Sequence, residues 1–268
     1  MIPSSLAFVR RGNSALAATL AHAPSVSKLT EAENAVAKLE DFVRRYEGIE
    51  GVSGLSTDDE ILNWVFTEAL YDLGAASWNL ASGQYKTAAS ALRGALEISV
   101  IALYFQNLEN DWVAAGNTGY NPKFREWDRG NADTPSWSAP KANLRARPAF
   151  QGMLLATGFD VVQRAHDYFH VLCSFTHSRT SDPTLSKFSN TTWMVGDSPR
   201  FHLETFNQIL DLMFETMSWI ATLWMVSFPA MLSPSDMKGS LNLADTHSLI
   251  RGTVPSESLK HCLTLVSV

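Results

Sequence analysis

Residues 87 to 108, "TAASALRGALEISVIALYFQNL", read as a helix that is apolar around its whole circumference apart from two charges, Arg93 and Glu97. A surface helix keeps a polar face, and one without such a face has to be enclosed by others. The stretch therefore dictates an all-α bundle with a helix over residues 84–106 at its centre. Arg93 and Glu97 stand four apart on one face, and burying them is costly unless each is paired. Two roles remain open for them. One is a structural ion pair that fixes how the helices fit, and the other is an arginine held rigidly to receive a phosphate or carboxylate.

The neighbouring elements follow from local signals. A capping box from Thr30 to Glu33 predicts the start of an amphipathic helix ending near Gly48. A second box, Thr57 to Glu60, opens "DDEILNWVFTEALYDLGAASWNLA", which closes at Gly83. The short Ser82-Gly83 turn makes that helix the antiparallel neighbour of the central one. Turn residues fill 107–148, an irregular insertion with one short helix near 123–129. Helical periodicity returns over 150–178, with a break at Gly158. A loop at 179–200, containing "NTTWMVGD" and a candidate hairpin, leads to a last long helix over about 201–231. The expected plan is an N-terminal extension (1–25), a helical bundle domain (26–232) with its insertion at 107–148, and a C-terminal tail (233–268).

Composition narrows the function classes. With 268 residues and 46% hydrophobic side chains, the chain can bury a large core. A net charge of −6 argues against a generally basic nucleic-acid surface, though not against a local one. Cys173 and Cys262 form no disulfide framework and no zinc-finger spacing, which points to a reducing, cytoplasmic compartment. The acid-free start, with Arg10, Arg11 and "SALAATLAHAP", is too short and alanine-rich for an export signal. Residues 216–235 carry no charge over about the length needed to cross a bilayer. They continue a helix bearing Asp211 and Glu215 and contain Pro229 and Pro234, so a buried core helix is the expectation and a membrane-associated protein the alternative.

The segment "HDYFHVLCSFTHSR" gathers His166, His170, Cys173 and His177 on one stripe, at about 0°, 40°, −20° and 20° around a helix. One helix cannot place all four around an ion. The Glu-x-x-His pairs of di-metal bundles are missing, so no metal or other cofactor is expected. Walker, GxGxxG, GxSxG and HExxH motifs are absent as well. The stripe reads either as a polar seam between helices or as an active surface.

The run "NLASGQYKTAASALRGALEIS" resembles the helical hairpin of the HEPN superfamily (higher eukaryotes and prokaryotes nucleotide-binding domains). Gly83, Tyr85, Ala88, Arg93 and Glu97 stand at the matching positions, and Tyr168, Leu172, Cys173, Ser174 and His177 follow the order of a later helix in that family. The resemblance implies a HEPN-like bundle that forms homodimers and, in many members, a metal-independent endoribonuclease of bacterial phage-defence or toxin–antitoxin systems. Those nucleases carry an arginine followed four to six residues later by histidine, a spacing that Arg164 and His170 meet; Ala165 departs from the polar residue usual after the arginine.

In such a reaction His170 or His177 would serve as base or acid, since an imidazole exchanges protons near neutrality. Arg164 or Arg93, the latter supported by Glu97, would stabilise the phosphate. The insertion would contact RNA through Lys123, Arg125, Trp127, Arg129, Arg145 and Arg147, with Phe124 and Trp137 available to stack on bases and Lys141 adding charge. Against this stands an insertion whose tryptophans only pin it to the bundle. The alternative from another class is a catalytically inert helical module that binds a protein partner through its insertion and C-terminal tail.

Overall fold

The computed structural model describes residues 5–46, 61–176 and 200–227, and every regular element among them is α-helical. The elements are α1 (Ser5–Ala21), α2 (Ala23–Tyr46), α3 (Ile61–Ala81), α4 (Tyr85–Ala114), α5 (Pro122–Asp128), α6 (Ser138–Arg145), α7 (Pro148–Thr157), α8 (Val161–Thr176) and α9 (Leu203–Ser227). Among the described residues the fold is all-α, as the central apolar stretch requires. The Thr57–Glu60 box and the hairpin expected near "NTTWMVGD" lie outside the described residues.

Helix α4 is the axis of the bundle. It packs against α3 along its length, and against α9, α8 and α6 on its other sides. Its run from Ser99 to Gln106 is buried without a break, so both faces of the turn-by-turn pattern are covered. Helix α9 crosses it with Trp224 fully buried, its ring centroid 4.5 Å from that of Phe66 on α3. Both α4 and α9 are long and apolar enough to cross a membrane, yet 67% and 78% of their apolar windows are buried inside the bundle. That burial gives their apolar sequences a core role.

The α3–α4 turn is a Schellman motif. Gly83 N–H donates to Leu80 O at 3.1 Å and Gln84 N–H to Asn79 O at 2.8 Å, with Gly83 in the left-handed region at φ +71°. The same turn holds the start of α9. The backbone carbonyl of Arg200 lies against Gly83, and the buried Tyr85 hydroxyl accepts from His202 N–H at 2.7 Å and donates to His202 O at 3.3 Å. Burial pushes the Tyr85 phenol up to about 12, so it remains a neutral donor and acceptor at physiological pH.

Two boundaries differ from the sequence expectation. The Thr30–Glu33 box does not start a helix, because α2 begins at Ala23 and both residues are exposed on its interior turns. Pro24 in the first turn and a 2.8 Å contact between His22 Nδ1 and Ser25 Oγ supply the earlier start. The expected N-terminal extension holds α1, which meets α3 where Thr19 Oγ1 donates to Ala81 O at 2.9 Å. Helix α4 also runs eight residues beyond the expected end at Gln106, because its last turns are covered by the insertion. The break at Gly158 is present, a left-handed cap at φ +70° that ends α7.

The insertion folds back on α4 as two short helices. Asn121 caps α5 by accepting from Lys123 N–H at 2.9 Å, and its own N–H donates to the buried Glu109 carboxylate at 2.7 Å. Arg147 grips Asp111 with two bonds of 2.7 Å, which holds the Asp111 carboxyl below its usual range. A depressed folded-state value contributes stability above the unfolded carboxyl range that is lost as pH falls through the folded value. Asp111 is 59% exposed, so solvent screens the pair and Asp111→Asn should cost under about 1 kcal/mol at pH 7. Thermal unfolding of both forms should show that difference shrinking toward pH 3, below the usual Asp value of about 3.9.

Candidate functional site

The α4–α8 seam brings the singled-out residues of both helices together. Arg93 donates to Glu97 Oε2 at 3.2 Å, and its guanidinium carbon lies 5.2 Å from the centroid of Phe169 on α8. The pair is about one-third exposed (32% and 28%), not enclosed as the charge-poor helix suggests. Next to the pair, Gly94 leaves room for the Asp72 carboxylate of α3. Arg93 Nε is itself buried and has no hydrogen-bond partner among the described residues.

Arg93 and Glu97 also act on Cys173, one turn along α8 from Phe169. Burial outweighs the arginine's opposing pull and keeps the thiol above its usual range, so it is not an activated nucleophile. Tyr168 serves packing. Its buried hydroxyl donates to Leu212 O at 2.7 Å and shares a 3.0 Å bond with Thr216, tying α8 to α9.

Val161, Val162, Ala165, Tyr168, Phe169 and Leu172 form the buried face of α8. Arg164 and His170, both exposed, leave this face on opposite edges, about 120° apart. Within one chain the fold therefore separates Arg164 from His170, while Arg93 joins the edge that carries His166, His170 and Cys173. His177 lies outside the described residues.

The histidine edge has a neighbour that the sequence reading did not place there. Helix α6 brings Lys141 Nζ to 3.4 Å from His166 Nδ1, and Trp137 to 5.3 Å from the His166 ring and 4.9 Å from Phe169. His166 and His170 stack edge to face at 4.5 Å. Burial first, then Lys141 and His170, hold the His166 imidazole below its ordinary range, with Asp167 opposing. The available signal was Pro140 after "TPSWSA", a first-turn proline that marks a helix and puts Trp137 and Lys141 one turn apart.

The basic residues of the insertion divide in two. Arg145 pairs with Asp160 at 2.8 Å, Arg147 with Asp111, and Arg125 donates to Tyr120 O at 3.3 Å. Lys123 and Arg129 are exposed. The expectation that Phe124 and Trp137 stack on bases is overturned: they are 2% and 8% exposed, because the insertion needs their area to seal itself onto α4 and α8. Trp127 is half-buried, with its ring 4.9 Å from Phe105. Its tryptophans do pin this insertion to the bundle.

Among the described residues no group of three or more His, Cys, Asp or Glu side chains is placed to hold a metal ion. No protein-family model, curated protein or solved structure matches the chain.

Proposed function

We propose that the chain is a HEPN-like bundle, cytoplasmic and homodimeric, that acts on RNA as a metal-independent endoribonuclease in a bacterial defence or toxin–antitoxin setting. The observation that carries this reading is the α4–α8 seam, where the Arg93–Glu97 pair of the hairpin motif reaches the histidine-bearing edge of the later helix. Metal-free cleavage of RNA needs a base for the 2′-OH, an acid for the leaving oxygen and a cation for the phosphorane. His170 is exposed, within reach of a substrate, and Arg93 is the cation on its side of α8. Arg164, on the other edge, would join only across a dimer.

The test is incubation of the purified protein with a mixed RNA pool in EDTA. Wild type should cleave, and His170→Ala or His177→Ala should abolish cleavage while remaining folded by circular dichroism. Absence of cleavage by folded wild type, in EDTA and with added divalent metals alike, would remove the ribonuclease reading.

A second reading, an inert helical module that binds a protein partner, draws support from α3. Tyr71 and Trp78 are 71% and 62% exposed and stand seven residues apart, on one face of the helix. Loss of partner binding on Tyr71→Ser together with Trp78→Ser, with no nuclease activity in the wild type, is the result this reading expects.

A further inference from the structure

The geometry points to a phosphate-binding site formed by Lys141 of α6 with His166 and His170 of α8, on the histidine edge of the seam rather than within the Arg93–Glu97 pair. Three basic side chains are stacked in sequence here, Lys141 on His166 at 3.4 Å and His166 on His170 at a ring distance of 4.5 Å. Such an arrangement is repulsive when charged, and the nearby acids do little to relieve it. Asp167 accepts from Gln163 at 2.8 Å, Asp160 is taken by Arg145, and Glu97 by Arg93. Helix α7 contributes no charge, and Glu215 of α9 acts on Tyr168, on the buried face of α8. An anion would turn this repulsion into three charge-assisted hydrogen bonds.

The surroundings suit such a ligand. Lys141 and His166 are half-buried and His170 is exposed, so the cluster is open to a ligand from solvent. Trp137 forms the wall against His166, and its buried indole N–H has no acceptor among the described residues. While Lys141 donates to Nδ1, the neutral His166 carries its proton on Nε2, so lysine and imidazole both present donors. Phosphate is the class that uses compact ammonium and imidazolium donors without needing a planar fork.

Proton uptake accompanies binding. His166 lies below its ordinary range when the site is empty, and an anion raises it again. Affinity therefore rises as pH falls through the histidine range.

This inference rests on the location of the ribonuclease reading but not on catalysis, and its test keeps the two apart. Inorganic phosphate would be titrated into the whole protein at pH 6.5 while the imidazole C2 proton signals are followed by NMR, assigned with His166→Gln and His170→Gln. Both signals should shift saturably while that of His22, on the α1–α2 corner, stays still. Lys141→Met, which keeps the apolar stem, should weaken phosphate at least tenfold with the His22 signal unchanged. Sulfate, which keeps its charge over this range, should bind several-fold more tightly at pH 6 than at pH 8.

No saturable shift, or equal affinity in folded Lys141→Met, overturns the site. Phosphate binding by a protein that cleaves no RNA leaves the site standing and removes the ribonuclease. RNA cleavage at the wild-type rate by Lys141→Met, without phosphate binding in the wild type, does the reverse.

Discussion

Gly83→Val should lower the unfolding free energy by about 2–4 kcal/mol, the largest stability effect expected of any residue in the hairpin motif. Two separate costs combine. Gly83 sits at φ +71°, where a β-branched residue is strained, and a Cβ there would stand 2.6 Å from the Arg200 carbonyl oxygen and 2.9 Å from its carbon. That carbonyl belongs to backbone held by Tyr85 through His202, so it cannot step aside without releasing the start of α9. Gly74, inside α3 with no atom within 4 Å of its would-be Cβ, is the control. Gly74→Ala should stabilise by up to about 1 kcal/mol through helix propensity. Urea denaturation of the three proteins reads both signs, and a Gly83→Val protein as stable as wild type would mean that the turn does not anchor α9.

The turn carries a lesson about the motif. Gly83, Tyr85 and Ala88 are three of the residues on which the family resemblance rests, and each has a packing duty here. Gly83 makes the turn, Tyr85 tethers the start of α9, and Ala88 is fully buried at the α4 interface. A resemblance built on them bears on the bundle's construction more than on its chemistry. Arg93 and Glu97 are paired at 3.2 Å with the guanidinium over Phe169, on the side of α8 that carries the histidines.

How far the sequence was legible follows from the range of the forces involved. The all-α class, the centrality of α4 and the α3–α4 hairpin came from local periodicity and from a glycine at a turn. These are properties of contiguous residues, and the structure bears them out. The Thr30 box misled because capping chemistry is permissive. Threonine and glutamate three apart are tolerated inside a helix whose start is set seven residues earlier by Pro24. The α4 terminus was placed too early because the residues after Gln106 are polar. Only the folded insertion, through Asn121 on Glu109 and Arg147 on Asp111, gives those polar groups partners.

The candidate site was half legible. The stripe of His166, His170 and Cys173 follows from 3.6-residue periodicity, and Arg93 stood out as one of two charges on an apolar helix. Nothing local could say that Lys141, 25 residues before His166, would come to rest on it. The insertion's basic residues were read as one surface. Three of them are engaged within the fold, Arg145 and Arg147 by acids distant in sequence and Arg125 by a neighbouring carbonyl.

The most direct test of the central claim, that the α4–α8 seam is a reactive surface with Arg93 as its phosphate-stabilising cation, is Arg93→Lys. Lysine keeps the charge and can still pair with Glu97, but it lacks the planar guanidinium that sits over Phe169 and can grip a phosphate with two parallel bonds. Cleavage of the RNA pool in EDTA should be measured for wild type and variant alongside their unfolding midpoints. The account predicts a loss in rate of about 100-fold or more, the scale of one transition-state donor, with the midpoint moved by only a few degrees. A variant that cleaves at the wild-type rate would contradict it and reduce Arg93–Glu97 to a pin between helices.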